Sequence, residues 1–197
     1  MLKEKVMSTA ATLPSHPVLA DLIPGSRVRD VVLIVAGAAL TGLAAQVSIL
    51  TSLSPVPFTL QTLAALLVGA SLGSARGMAS MGLYALVGVL GVPWFAAHTS
   101  GFSSVSFGYI IGFILAAGLV GELAKRGADR HILGTVALMV FGNVLIYAVG
   151  TTWLAVNLHL GAGTAIGLGV RPFLISDALK IVVAAIALPG TWKLVKR

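Results

Sequence analysis

The feature that most constrains this chain is a succession of apolar runs, each close to the length of a membrane crossing. A helix rises about 1.5 Å per residue, so roughly 20 mostly apolar residues cover the ~30 Å hydrocarbon core of a bilayer. Runs of that order follow one another from Val31 nearly to the C-terminus, punctuated by Gly, Pro and charge. In lipid every backbone N–H and C=O must find its partner inside the protein, so these runs are expected to be helices. Only 10% of the 197 side chains are charged, against about 25% in a soluble domain. With a mean hydropathy of +1.01, the chain reads as one all-α membrane domain rather than a soluble domain with an anchor.

Six spans are expected: Val31 to Leu50, Pro57 to Leu72, Gly77 to Gly91, Phe107 to Leu123, Ile132 to Leu158 and Pro172 to Leu188. They divide the chain into a polar segment over 1–30, a transmembrane domain over 31–190 and a basic tail over 191–197. The second and third spans are short, and the tight turn from Ser71 to Arg76 makes them a close hairpin. The first thirty residues are polar and hold three prolines, with no apolar core of a cleavable signal.

A net charge of +7 raises the question of nucleic acid, and the positions of the basic residues answer it. Lys3, Lys5, Arg27, Arg29, Arg76, Lys125, Arg126, Arg130, Lys193, Lys196 and Arg197 fall in connections on one side of the six spans, whereas Arg171 alone falls on the other. The positive-inside rule makes the basic side cytoplasmic, together with both termini. The partner of this charge is a lipid membrane, and no nucleic-acid binding is expected. Opposite it lie Thr51 to Val56, Val92 to Ser106 and His159 to Arg171, three loops that read as a lid. The pairs Gly69/Gly73, Gly108/Gly112 and Ala38/Gly42 have the small-xxx-small spacing that lets helices approach closely.

An ionised group at the centre of a membrane helix costs roughly 2.5–3.5 kcal/mol on insertion scales and needs a partner or a purpose. Asp177 and Lys180 are the two such groups within spans. Their i, i+3 spacing puts both on one helix face, where they can pair with each other as a silent ion pair or with a ligand. Gln61, Trp94, Tyr109, Tyr84 and Asn143 add polar and aromatic groups to a candidate outward-facing site, since small-molecule pockets are apolar cavities with a few convergent polar atoms.

Other chemistries lack their residues. No phosphate loop of the G-x-x-x-x-G-K-[ST] type occurs, cysteine is absent, and Asp177 is the single carboxylate within a span apart from Glu122, next to the end of the fourth. His16, His98, His131 and His159 have no ligand spacing, so no metal site is expected. Neither a catalytic residue nor a resident cofactor is expected, and uphill transport would draw its energy from elsewhere.

The segment Ser54-Pro55-Val56-Pro57-Phe58-Thr59-Leu60-Gln61-Thr62, then Leu67-Val68-Gly69, Leu72-Gly73, Arg76-Gly77 and Tyr84 to Gly91-Val92-Pro93-Trp94-Phe95-Ala96, resembles the BioY family. Gly108-Tyr109-Ile110-Ile111-Gly112-Phe113 is similar to its fourth-helix motif, and Arg171-Pro172-Phe173 with Asp177-Ala178-Leu179-Lys180 to its sixth-helix motif. Where members often have Gly-Pro-Thr-Gly-Gly-Tyr, this chain reads Ser104-Val105-Ser106-Phe107-Gly108-Tyr109. The resemblance implies a six-helix S-component bundle of an energy-coupling factor transporter in a prokaryotic plasma membrane, with biotin as ligand. It implies binding by Asp177, Lys180, Tyr109, Tyr84, Asn143, Gln61 and Trp94. It further implies a membrane coupling protein and two cytoplasmic ATPase subunits as partners, docked near Ala38 and Gly42. Another vitamin, such as thiamin or riboflavin, is the alternative ligand.

Overall fold

A computed structural model describes residues 17–25 and 27–195; Lys3, Lys5, His16, Lys196 and Arg197, named above, lie outside the described residues. The chain is predominantly helical, with α1 (Arg27–Gln46), α2 (Gln61–Leu72), α3 (Ser74–Val89), α4 (Phe107–Lys125), α5 (Ile132–Asn157), α6 (Ala162–Gly169) and α7 (Leu174–Val195). A two-stranded antiparallel hairpin, β1 (Ser48–Thr51) and β2 (Ser54–Thr59), joins α1 to α2. Helices α1, α4, α5 and the continuous stretch from α6 through α7 are long and apolar enough to cross a membrane; α2 is apolar but has 12 residues.

Helix α4 is the centre of the bundle, packing against α2, α3 and α5. Of its apolar window 61% is buried, compared with 28% for α1 and 33% for α5, so those two give most of their surface to lipid. Outward-facing Leu43 of α1 and Leu133 of α5 form part of that surface, and Ile175 and Ile186 extend it on α7. Close packing at the centre depends on missing side chains. A Cβ on Gly69 would lie 2.7 Å from the Ala117 backbone, and one on Gly121 would lie 2.4 Å from the Gly73 and Ser74 backbones. The expected α2–α3 hairpin turns on Gly73 alone, at φ +81, a left-handed conformation that residues with a Cβ rarely adopt.

Three boundaries differ from expectation. The first span stops as a helix at Gln46 and the second starts at Gln61, because the intervening sequence makes the hairpin. Pro55 and Pro57 cannot continue a helix, and both strands of a two-stranded sheet are edges, where proline is tolerated. Burial alternates along β2, with Ser54 and Val56 inward and Pro55 outward. The third loop, expected as part of a lid, contains α6, which packs on α5 and β2. At the other end α7 runs through Pro189 to Val195, so the helix continues past Leu188 into the expected tail.

Candidate functional site

Between the hairpin, α2, α4, α5 and α7 lies a cavity whose walls include Val56, Pro57, Thr59, Gln61, Thr62, Ser106, Tyr109, Ile110, Phe113, Tyr147, Phe173, Asp177 and Lys180. Most of this wall is apolar, and its charge is concentrated on one strip of α7. Asp177 sits in the first turn of α7, where the positive end of the helix dipole favours a carboxylate. Lys180 follows one turn later, with Nζ 2.6 Å from Asp177 Oδ1.

Two neighbouring helices complete the polar cluster. Lys180 Nζ also donates to Thr62 Oγ1 of α2 at 2.8 Å, and Thr62 Oγ1 donates to Asp177 Oδ1 at 3.3 Å. From α5 the Tyr147 hydroxyl donates to the other carboxylate oxygen, Oδ2. Asp177 is buried and the Lys180 side chain nearly so, at 13% exposure. A buried pair gains from such extra hydrogen bonds, because each charge has lost its water. The result is a neutral strip of donors and acceptors set in an otherwise apolar wall.

Gln61 and Tyr109 line the same cavity. Gln61 Nε2 donates to the Tyr84 hydroxyl at 2.5 Å, while its Oε1 accepts from Thr59 at 3.2 Å. Tyr109 is anchored by donation to the Gly169 carbonyl at 2.9 Å, which ties α4 to the end of α6. Tyr84 and Trp94 stand behind this wall. Their rings are 5.1 Å apart, Trp94 Nε1 donates to the Tyr84 carbonyl at 3.0 Å, and together they hold Gln61 in place. Asn143 is buried on α5 one turn from Tyr147, also outside the lining; its Oδ1 has no partner among the described residues.

The expected docking pair, Ala38 and Gly42, lies inside the bundle. Ala38 is 1% exposed and Gly42 is buried; a Cβ on Gly42 would stand 2.9 Å from the Trp94 ring. Both residues turn into the bundle, and their spacing lets α1 approach the Tyr84–Trp94 pair. The outward face of α1 instead carries Val32, Val35, Ala36, Ala39 and Leu43.

Sequence reading missed Thr62 and Tyr147. Each lies in an apolar span, and the only signal was a hydroxyl in such a setting. Gln46 was also missed; its Nε2 donates to the carbonyls of Gly42 and Trp94, both at 3.0 Å. The departing stretch before α4 makes its own local structure. Ser104 and Ser106 hydroxyls are 2.8 Å apart, and Trp153 Nε1 donates to the Ser104 carbonyl at 3.1 Å.

The cavity is covered by the hairpin and by the loop ending at Ser106. Phe58 and Phe173 stack with centroids 4.5 Å apart, and α6 touches β2. Ala97 and His98, next to cavity-facing Ala96, have φ of 54° and 55°, a left-handed pair of non-glycine residues in the cover. Such a conformation costs about 1–2 kcal/mol per residue. The free space beneath the cover is about 40 Å³, room for only a few waters.

Fold and site thus define a small helical membrane protein with a covered, mostly apolar cavity and an ion pair in its wall. The model of the BioY family matches residues 10–197, and the chain belongs to that family. It is 36% identical over 163 residues to the probable biotin transporter BioY of Pyrococcus horikoshii, covering 81% of this chain and 94% of the relative. It is 37% identical over 137 residues to the biotin transporter BioY of Thermotoga maritima, covering 68% and 79% respectively. Among solved structures, the 2.1 Å crystal structure of the S-component for biotin from an ECF-type ABC transporter superposes with a TM-score of 0.75 at 20% identity. That match covers 85% of this chain and 92% of the other. Membership in a family of transport proteins agrees with the expectation of a non-enzymatic chain.

Proposed function

We propose that this chain is the biotin-binding S component of an energy-coupling factor transporter, crossing a prokaryotic plasma membrane six times with both termini cytoplasmic. The observation that carries the ligand assignment is the Asp177–Lys180–Thr62–Tyr147 cluster on one wall of an apolar cavity. Biotin has a ureido ring with two N–H donors beside a carbonyl acceptor, an apolar bicycle and a carboxylate-ended chain. Asp177 accepts from a ureido N–H, Lys180 donates to a ureido or carboxylate oxygen, and Tyr109, Ile110, Phe113 and Phe173 enclose the bicycle. Gln61 adds an amide to the wall, with Tyr84 and Trp94 supporting it from behind. The relatives named as biotin transporters support the same ligand.

Free space of about 40 Å³ is far below a ligand pocket of about 300 Å³ or more, so biotin entry requires the cover to move. The hairpin and the loop holding Ala97 and His98 are the segments that open. Six crossings are assigned to α1, α2, α3, α4, α5 and α7, with α6 and the hairpin as parts of the outer cover. The energy for uptake comes from a membrane coupling protein and two cytoplasmic ATPase subunits, and docking falls on the outward face of α1.

Equilibrium binding to the purified chain, with labelled biotin beside labelled thiamin and riboflavin, tests the assignment. Saturable binding of biotin alone at one site per chain is the expected result. Binding of another vitamin in preference, or of none at micromolar concentration, overturns it. Cysteine replacements at outward-facing Ser100 and Lys125 test the orientation, with an impermeant thiol reagent applied to intact cells. Labelling at Ser100 and protection at Lys125 are expected, and the reverse pattern inverts the topology.

A further inference from the structure

At the end of the bundle opposite the candidate site, Arg126, Arg130, His131, Pro189, Trp192 and Lys193 line a second cavity of about 420 Å³, far roomier than the first. It lies between the end of α4, the short turn Ala128–Arg130, the start of α5 and the last turns of α7. Three permanent cations and a histidine face it, and no carboxylate lines it among the described residues. Asp129 is adjacent, but it is buried, with Oδ2 accepting from Trp192 Nε1 at 2.5 Å. Glu122, the other acid nearby, lies 3.6 Å from Arg126 and 3.8 Å from Lys125, and it does not line the cavity.

Arg130 is held for a purpose its protein contacts do not exhaust. Its guanidinium carbon is 4.6 Å from the centre of the Trp192 ring, and one terminal nitrogen donates to the Pro17 carbonyl at 3.1 Å. Its Nε is buried and has no hydrogen-bond partner among the described residues. A buried donor without a partner is a costly arrangement that a bound acceptor relieves. At the same place α5 begins with His131 as its N-cap, with no side-chain cap bond, so the positive end of a 26-residue helix points to this region.

Exposed apolar residues adjoin the lining in sequence. Ile132 and Leu133, next to His131, are 61% and 84% exposed, and Leu194, next to Lys193, is 73% exposed. A basic recess whose lining residues adjoin outward apolar side chains matches an amphiphile whose anionic head enters the recess while its chains lie along α5 and α7. Free phosphate would use the cations and leave the apolar neighbours without a role.

We propose that this recess binds the phosphate head group of an anionic phospholipid, with the Arg130 guanidinium, Arg126 and Lys193 as donors. The lipid locks the α4–α5 connection to the end of α7. This assignment is independent of the biotin reading and requires only that the chain lie in a membrane.

The test uses the full chain, delipidated in a neutral detergent and titrated with acyl-labelled phosphatidylglycerol, against unlabelled phosphatidylglycerol, phosphatidylcholine and inorganic phosphate as competitors. One saturable site is expected, with phosphatidylglycerol competing at least tenfold better than phosphatidylcholine and inorganic phosphate failing to compete at equal concentration. R126Q/K193Q, which alters only outward-facing positions, weakens phosphatidylglycerol binding at least tenfold and leaves biotin binding unchanged. Equal competition by the two lipids, or full affinity in R126Q/K193Q, overturns the proposal. Displacement by inorganic phosphate at equal concentration also overturns it, in favour of a soluble anion. Should R126Q/K193Q lose its fold, R126K/K193R serves in its place; it keeps the charges and retains the lipid preference, and loss of that preference in a folded protein counts against the site.

Discussion

Thr62 and Lys180 stand 118 positions apart in sequence and meet at 2.8 Å, through a hydrogen bond from the lysine Nζ to the threonine hydroxyl. This contact joins α2 to α7 across the cavity and makes Thr62 part of the charged cluster. Lys180 therefore cannot be altered without disturbing both Asp177 and a second helix.

Asp177→Asn and Lys180→Met are each expected to weaken biotin binding at least tenfold, about 1.4 kcal/mol. Lys180→Met also strands a buried carboxylate, a change that costs several kcal/mol where water is excluded. It therefore lowers the unfolding temperature in detergent more than Asp177→Asn does. Asp177→Asn/Lys180→Met recovers most of that temperature but not biotin binding. A double variant that binds biotin normally would reduce the pair to an internal structural ion pair.

Thr62→Val and Tyr147→Phe remove single hydroxyls and leave the cavity shape intact. Tyr147→Phe removes one hydrogen bond to a charged partner and Thr62→Val removes two, each bond worth about 1.5–3 kcal/mol. Weaker biotin binding is expected in both. Because Thr62 and Lys180 share a bond, Thr62→Val and Lys180→Met are non-additive, with a coupling of at least about 0.5 kcal/mol measured by a double-mutant cycle in binding. Strict additivity would remove Thr62 from the site.

The two faces of α1 have different roles. Gly42→Trp drives an indole into the Trp94 ring and is expected to lower both biotin binding and thermal stability. Ala36→Trp, on the outward face, is expected to spare binding by the isolated chain and to reduce ATP-driven uptake in the presence of the coupling and ATPase subunits. Unimpaired uptake in Ala36→Trp would move docking away from this part of α1.

Asp129 lies in the connection between α4 and α5, where burial raises its carboxyl pKa, opposed by the Trp192 N–H, its own backbone N–H and Arg130. A carboxyl that holds its proton more tightly in the folded than in the unfolded state adds stability at low pH. That contribution is fully present below the unfolded value of about 3.9 and is lost as pH rises through the raised folded value. Asp129→Asn keeps an acceptor for Trp192 and is expected to flatten this dependence, seen as a smaller fall in unfolding temperature between acid and neutral pH. An unchanged pH profile would show that Asp129 does not titrate differently on folding.

Much of the helical layout is legible in the residue string because length and apolarity dictate it. The fourth and fifth expected spans coincide with α4 and α5 to within two residues. Hairpin β1–β2 was not legible in the same way, since Val47 to Thr51 is as apolar as the helix before it. The strands declared themselves only in Pro55 and Pro57. Of the expected site residues, Asp177, Lys180, Gln61 and Tyr109 line the cavity, whereas Tyr84, Trp94 and Asn143 lie behind it or apart from it.

By itself the sequence determined that this chain is a helical membrane protein and that one helix face carries Asp177 and Lys180, and it led to the expectation that the basic connections share one side. Those facts follow from local quantities: run length, loop charge and i, i+3 spacing. Only the tertiary structure decided that Thr62 and Tyr147 complete the cluster and that Ala38 and Gly42 turn inward. The physical reason is that lipid is as apolar as a helix interface. A soluble helix marks its buried face by contrast with its polar one, but α1, α2 and α5 are apolar nearly all round and carry no such mark. Which residues of these helices meet was therefore fixed by packing, at the close approaches that Gly42, Gly69 and Gly121 permit.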